Sequence, residues 1–403
     1  MRSRAWQMLV LCLVALSLSA CAAQVIRDPV PQSLVDDVGV PGMAHARFWG
    51  DEVPADMLGF MREHMPGSIR MASKAGPNGG RPVVEYLAIS GGAGDGAYGG
   101  GVLVGWTQRG DRPRFEVVTG VSAGALIAPF AFLGPAYDRQ LKEIWTKYDT
   151  EMLATPQVLA GLFGAEALTD NTGLKELIAK YVDRRMLNRI AEEYRNGRVL
   201  LIGTTNLDAQ RPVIWNMGEI ASSQHPYALT LFRDVLLASA ALPGVFPPVH
   251  VKVSAGDKML EEMHVDGGPT RQVFLAPAHL SLRTFDPLYP KPPLRKIYVI
   301  KNGKLAPEYE AVAANTLSIS ARSLFTLTKS QSIGDINRIY QTAQRDKAEF
   351  HLTSIPASFD LQSKQAFDPV YMKALFQLGY EMGRKGEPWV TTPPEADRNT
   401  TQR

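Results

Sequence analysis

Gly120-Val121-Ser122-Ala123-Gly124 follows the apolar residues 115–119 and runs into Ala125-Leu126-Ile127-Ala128, and this stretch decides the fold. A short apolar run, a glycine-bordered serine and a second run of small apolar residues predict a strand that turns sharply into a helix. Glycine two positions to either side of Ser122 permits a turn too tight for Cβ atoms. Such a turn lifts the hydroxyl clear of the backbone at the positive end of the helix. Ser122 is therefore a candidate nucleophile, with Gly120 and Gly124 forming its elbow. An ordinary glycine-bordered turn would look the same, so the neighbouring segments must decide.

Upstream, Val83-Val84-Glu85-Tyr86-Leu87-Ala88-Ile89 reads as a buried strand. It leads into residues 90–101, a glycine-rich loop, and then into the helix-like Val102-Leu103-Val104-Gly105-Trp106. Residues without side chains leave amide N–H groups free to point at an oxyanion or a phosphate, and a helix start favours negative charge at the same place. Downstream, Met263-His264-Val265 leads into Asp266-Gly267-Gly268, an acid at a strand end beside a glycine turn. Alone, Asp-Gly-Gly is a common turn. Between them, residues 238–249 (Ala-Ser-Ala-Ala-Leu-Pro-Gly-Val-Phe-Pro-Pro-Val) read as a rigid loop.

Taken in order, the glycine loop, Gly-x-Ser-x-Gly, the Ala-Ser-Ala-Ala-Leu-Pro-Gly segment and Asp-Gly-Gly resemble the patatin-like phospholipase family, over about residues 83–300. Gly203-Thr204-Thr205-Asn206-Leu207-Asp208 with Arg211-Pro212-Val213-Ile214-Trp215 also looks like the strand pair this family places between nucleophile and acid. The resemblance implies a catalytic dyad in which Asp266, of the motif completed by Gly267 and Gly268, takes the Ser122 proton directly. It further implies an oxyanion hole from the amides of Gly91, Gly92 and Ala93, an acyl-serine intermediate, and a lipid or other ester as substrate. The implied fold is α/β, three-layered, with a central mostly parallel sheet and helices on both faces. No cofactor is expected, and no metal-spaced His/Cys cluster appears.

The loop departs from the family's Gly-Gly-Gly-x-Arg-Gly pattern: Ala93 stands at the third glycine and Asp95 where the arginine belongs. Ala93 must avoid positive φ or accept strain. The exchanged charge argues for an ester or lipid acyl hydrolase rather than a named phospholipase, and leaves a catalytically silent binding or scaffold protein as the alternative. Two other readings compete. A Ser-Asp-His triad would draw on His279 or His351, with His264 beside the acid as a packing residue. A dinucleotide site would use Gly94-Asp95-Gly96-Ala97-Tyr98-Gly99, with Glu116 as the ribose-binding acid.

At the start of the chain, Arg2, Arg4, an apolar run from Met8 to Leu18 and Leu18-Ser19-Ala20-Cys21 resemble a bacterial lipoprotein signal. This implies cleavage before Cys21, lipidation of its thiol, membrane attachment through that anchor, and a cell-envelope location, the outer membrane facing the periplasm. Cys12 falls within the removed segment, so no disulfide is expected in the mature chain. With 43 Lys and Arg against 40 Asp and Glu, the chain carries +3, and no basic run suggests nucleic acid. Protein partners are not legible.

Five segments are expected: a signal peptide at 1–20, a tether and irregular segment at 21–82, the catalytic core at 83–300, a C-terminal helical extension at 301–390 and a disordered tail at 391–403. Strands are expected at 83–89, 115–119, 199–205 and 296–300. Beyond the core, residues 308–345 and 368–382 read as helical and 348–355 as strand. Leu174, Leu177, Ile178, Tyr181 and Val182 form a helical stripe with Asp170 or Thr172 available as cap. Residues 152–167, apolar with glycines, read as core, with a lid over the acyl pocket as the alternative.

Overall fold

The computed structural model describes residues 27–53, 56–64, 67, 80–156, 167, 169–277, 279–386 and 389–394. Cys12, Cys21, the expected signal peptide, residues 157–166 of the candidate lid and the tail beyond residue 394 lie outside them. Among the described residues, no helix is long and apolar enough to cross a membrane.

Nine strands share one sheet: β1 (Arg47–Trp49), β2 (Val83–Ile89), β3 (Val117–Val121), β4 (Val199–Asn206), β5 (Arg211–Asn216), β6 (Val249–Ala255), β7 (Lys258–Asp266), β8 (Leu294–Lys304) and β9 (Glu349–Ile355). The order is β1-β5-β4-β3-β2-β8-β9, with β7 pairing both β4 and β6. The middle five, β4-β3-β2-β8-β9, run parallel. The hairpin partner β5, the edge strand β1 and the β6-β7 pair add antiparallel neighbours on the β4 side.

Parallel strands covered on both faces are apolar at nearly every position, and alternate side chains divide between two cores. Leu87, Ile89, Val118, Tyr298 and Ile300 face the core built by α1 (Gly96–Arg109), α2 (Ala123–Leu133) and α3 (Ala228–Ser239). Tyr86, Ala88, Ile297 and Val299 face Ile336, Ile339 and Ala343 of α4 (Thr316–Asp346). Helices on both faces of a sheet with a parallel centre are the expected α/β architecture.

Glycines in α1 serve packing as well as the loop before it. A Cβ at Gly101 or Gly105 would lie 2.2 or 2.0 Å from the carbonyl oxygens of Phe376 and Tyr380 in α5 (Pro369–Lys385). Gly379 and Gly383 meet Tyr98 and Val102 of α1 equally closely. Backbone touches backbone along the pair, which offsets the low helix propensity of glycine.

The strand expected at 348–355 forms as β9 and closes the parallel block against β8, because Phe350 and Leu352 gain a core there. Other expectations shift. Residues 47–49, read as tether, pair with β5. Ala238 and Ser239 belong to the last turn of α3 and Val249 opens β6, so the rigid loop spans residues 240–248. α4 starts at Thr316 instead of residue 308, capped by the Asn315 carboxamide accepting from the Ser318 amide. The helix Thr172–Tyr181 buries Leu174, Leu177 and Ile178 as expected, and the Asp170 carboxylate accepts from the Thr172 amide.

Candidate active site

Two strands share one edge of β4. β3 pairs with it from Val117↔Val199 to Val121↔Gly203. There β3 leaves the sheet, and the backbone groups of the next three β4 residues need partners. β7 supplies them from the opposite direction, with Thr204↔Asp266, Thr205↔Val265 and Asn206↔His264. The residue after the end of β3 and the last residue of β7 therefore meet: they are Ser122 and Asp266.

Ser122 sits at φ 55°, ψ −124°, a strained conformation for a residue with a Cβ, at the N-terminus of α2. Both flanking glycines are forced by contact. A Cβ at Gly120 would lie 2.4 Å from the Gly124 carbonyl oxygen, and one at Gly124 would lie 2.2 Å from that of Ile89. The buried Ser239 hydroxyl pins the elbow, accepting from the Ser122 amide at 3.0 Å and donating to the Gly203 carbonyl at 2.7 Å.

The Asp266 carboxyl is buried, and burial raises its pKa from the ordinary 3.8 to about 6, while the Ser122 side chain and the Gly268 amide pull the other way. The Gly268 amide lies 2.7 Å from Asp266 Oδ1. A Cβ at Gly268 would come 2.9 Å from the same oxygen, and one at Gly267 2.7 Å from the Gly203 carbonyl. The Asp-Gly-Gly turn is thus compressed against the β3–β4 junction.

The glycine loop closes over Ser122. A Cβ at Gly91 would stand 3.0 Å from Ser122 Cβ, so glycine there lets the loop approach the serine. The Gly91 amide donates to the Gln272 carbonyl at 3.1 Å. The amides of Gly92 and Ala93 have no acceptor among the described residues. Gly92 has φ 158° and Cβ space closed by the Asn302 carbonyl at 2.3 Å. Ala93 takes the strained option, at φ 46° with an exposed side chain.

Four supporting residues escaped the sequence reading. Asn302, buried after the apolar run of β8, donates from Nδ2 to the Ser90 carbonyl at 2.7 Å and accepts from the Gly99 amide at 3.1 Å, fixing both ends of the loop. Gln272 receives the Gly91 amide, and its own amide donates to Asp335 of α4 at 2.7 Å. Lys301, buried, faces Asp95, whose carboxylate accepts from Tyr371 at 2.6 Å. Burial lowers the Lys301 pKa to about 8 against the pull of Asp95, and burial raises that of Asp95. The acid in the family's arginine position thus faces a cation from the neighbouring strand. Polar residues continuing an apolar strand at its C-terminal end, where sites form in parallel sheets, were the available signal for Lys301 and Asn302. Ser239 lay in a segment singled out only as loop.

His264 is buried behind the acid. Trp215 Nε1 donates to Thr204 Oγ1 at 2.8 Å, which leaves the threonine proton for His264 Nδ1 at 3.0 Å. Nε2 then donates to Glu262 at 3.0 Å, and Arg47 pairs with that carboxylate at 2.7 Å. Desolvation lowers the His264 pKa, so the ring is a neutral packing and hydrogen-bonding group. His351 belongs to β9, stacked on Tyr298 at 4.7 Å. It lies three strand spacings from β3, about 14 Å. His279 is exposed in the loop before β8. Among the described residues, neither His279 nor His351 hydrogen-bonds Ser122 or Asp266. The residues of the dinucleotide reading have packing roles: the Cβ positions of Gly94, Gly96 and Gly99 are closed by Ala366, Trp145 and Asn302, and Glu116 accepts from the Glu85 amide.

Residues 87–279 match the family model described as Patatin-like phospholipase. The chain carries a patatin-like phospholipase domain. Among solved structures, VipD from Legionella pneumophila is 11% identical, with a TM-score of 0.35, covering 76% of this chain and 66% of its own. Human GIVD cytosolic phospholipase A2 is 13% identical, with a TM-score of 0.29, covering 71% of this chain and 51% of its own. The chain thus spans between half and two thirds of the structures it resembles. No curated protein matches the sequence.

Proposed function

We propose that the patatin-like domain is a lipid acyl hydrolase that cleaves carboxylic esters through Ser122 and Asp266. The observation that carries this reading is the meeting of the Ser122 hydroxyl with a buried carboxyl raised to about 6, at the junction where β3 and β7 share one edge of β4. An ordinary carboxylate is a weak base for an alcohol, and desolvation strengthens it. Asp266 takes the Ser122 proton as Oγ attacks the ester carbonyl. The oxyanion accepts from the Gly92 and Ala93 amides, while Gly91 contributes closeness instead of a donor. Asp266 returns the proton to the leaving oxygen as the tetrahedral adduct collapses, which releases the alcohol, leaves an acyl-serine and frees the carboxylate to deprotonate the water that releases the fatty acid. Lipidation at Cys21 and an envelope location complete the proposal on the sequence signal alone.

A fluorophosphonate probe and short p-nitrophenyl esters test it. Labelling confined to Ser122, with turnover lost in both Ser122→Ala and Asp266→Asn, is expected. Folded wild-type chain that neither labels nor turns over ester would favour the silent binding protein that Ala93 and Asp95 suggested.

A further inference from the structure

α4 is 31 residues long, and its two halves differ. Its C-terminal half lies against the sheet through Ile336, Ile339 and Ala343, and Asp335 at the start of that half holds the Gln272 amide whose carbonyl partner is Gly91. Its N-terminal half projects over about 22 Å at the helical rise per residue. It carries Ile319 at 52% exposure, Leu324 at 52%, Phe325 at 65% and Leu327 at 67%, and Tyr309 in the segment before it is 96% exposed. Isolated exposed apolar residues are ordinary, whereas a cluster this dense on one projecting element marks an interaction site.

The arrangement of these side chains indicates the partner. Taking Ile319 as zero, Leu327, Leu324 and Phe325 lie at about 80°, 140° and 240° around the axis. A second copy of the chain, or a helix of another protein, would bury one stripe. Apolar residues around most of the circumference suit a medium that surrounds the helix. Residues 316–334 contain no Asp or Glu, and the two cations there, Arg322 and Lys329, are neutralised by Glu310 and Glu308. The Thr326 hydroxyl donates back to the Arg322 carbonyl at 2.8 Å, so it enters an apolar medium already satisfied.

We propose that this projecting half of α4, together with Tyr309, docks the chain onto a lipid surface by inserting Ile319, Leu324, Phe325 and Leu327 among acyl chains. The proposal rests on the acyl-hydrolase reading of the Ser122 site. Insertion stops within the near leaflet, because the apolar stretch is too short to span a bilayer.

The test uses full-length chain carrying Cys21→Ser, so that no lipid on that thiol holds it to membranes, and sedimentation with phosphatidylcholine vesicles. The double variant Phe325→Glu/Leu327→Glu should partition at least tenfold more weakly than its parent while hydrolysing a soluble short-chain ester at the parental rate, which also reports folding. Ser122→Ala should bind vesicles like the parent. Equal vesicle binding by parent and double variant would overturn the proposal. So would a parent that is dimeric without lipid and becomes monomeric in the double variant, since the face would then belong to a second copy. A parent that binds vesicles through these residues but hydrolyses no ester would sink the functional reading and leave the docking surface standing.

Discussion

Replacing Asp266 by Asn should cut turnover steeply and stabilise the protein, with a gain that depends on pH. Burial holds the carboxyl at about 6 instead of 3.8, a difference of about 3 kcal/mol between its two protonation states. Between about pH 4 and 6 the unfolded chain has released this proton while the folded chain keeps it. The folded state binds more protons there, so stability falls as pH rises through that window, and the full cost is present above about pH 6. Below about pH 4 both states are protonated and the cost vanishes. Asparagine cannot ionise, and its Oδ1 can still accept from the Gly268 amide 2.7 Å away in the wild type. Urea unfolding of both proteins should therefore give nearly equal stabilities at pH 4 and an Asn variant more stable by up to about 3 kcal/mol at pH 7.5. Wild-type kcat should fall below about pH 6 as the base protonates, and the variant should lose about 10²- to 10⁴-fold. A gap in stability that is constant across pH, or an Asn variant weaker than wild type at pH 7.5, would refute the claim that this carboxyl is strained by desolvation.

Two further outcomes follow from neighbouring groups. Ser239→Ala leaves the Ser122 amide and the Gly203 carbonyl without their buried bridge, so unfolding should show a loss of about 1–3 kcal/mol, and steady-state kinetics should show kcat falling with little change in KM. Lys301, held near 8 by burial, binds fewer protons folded than unfolded between about pH 8 and 10.5, so wild-type stability should gain a contribution as pH climbs through that window. Lys301→Met should lack that rise when urea midpoints are compared at pH 8 and 10.

Much of the site was legible because its chemistry is local. Gly120, Ser122 and Gly124 announced a turn that only small residues can make, and Asp266 stood before paired glycines. The supporting shell was not legible in the same way. The resemblance implied Gly91 as a donor, yet its amide goes to Gln272, a residue some 180 positions away, and Asn302 and Ser239 act through isolated hydrogen bonds that leave no periodic trace. Asp95 read as an intrusive charge until Lys301 and Tyr371 were found against it. The edge strand β1 escaped assignment to the core because a strand's membership depends on the edge it finds.

The amino-acid order by itself determined the parallel α/β character, through apolar runs buried on both faces, and the candidate nucleophile, through glycines where a Cβ has no room, while the candidate acid came from the resemblance of its ordered motifs to a family. Tertiary structure alone decided that those two residues meet. Their contact depends on β3 abandoning one edge of β4 just where β7 claims it, and hydrogen-bond pairing between strands far apart in the chain is a property of register that no local stretch of residues encodes.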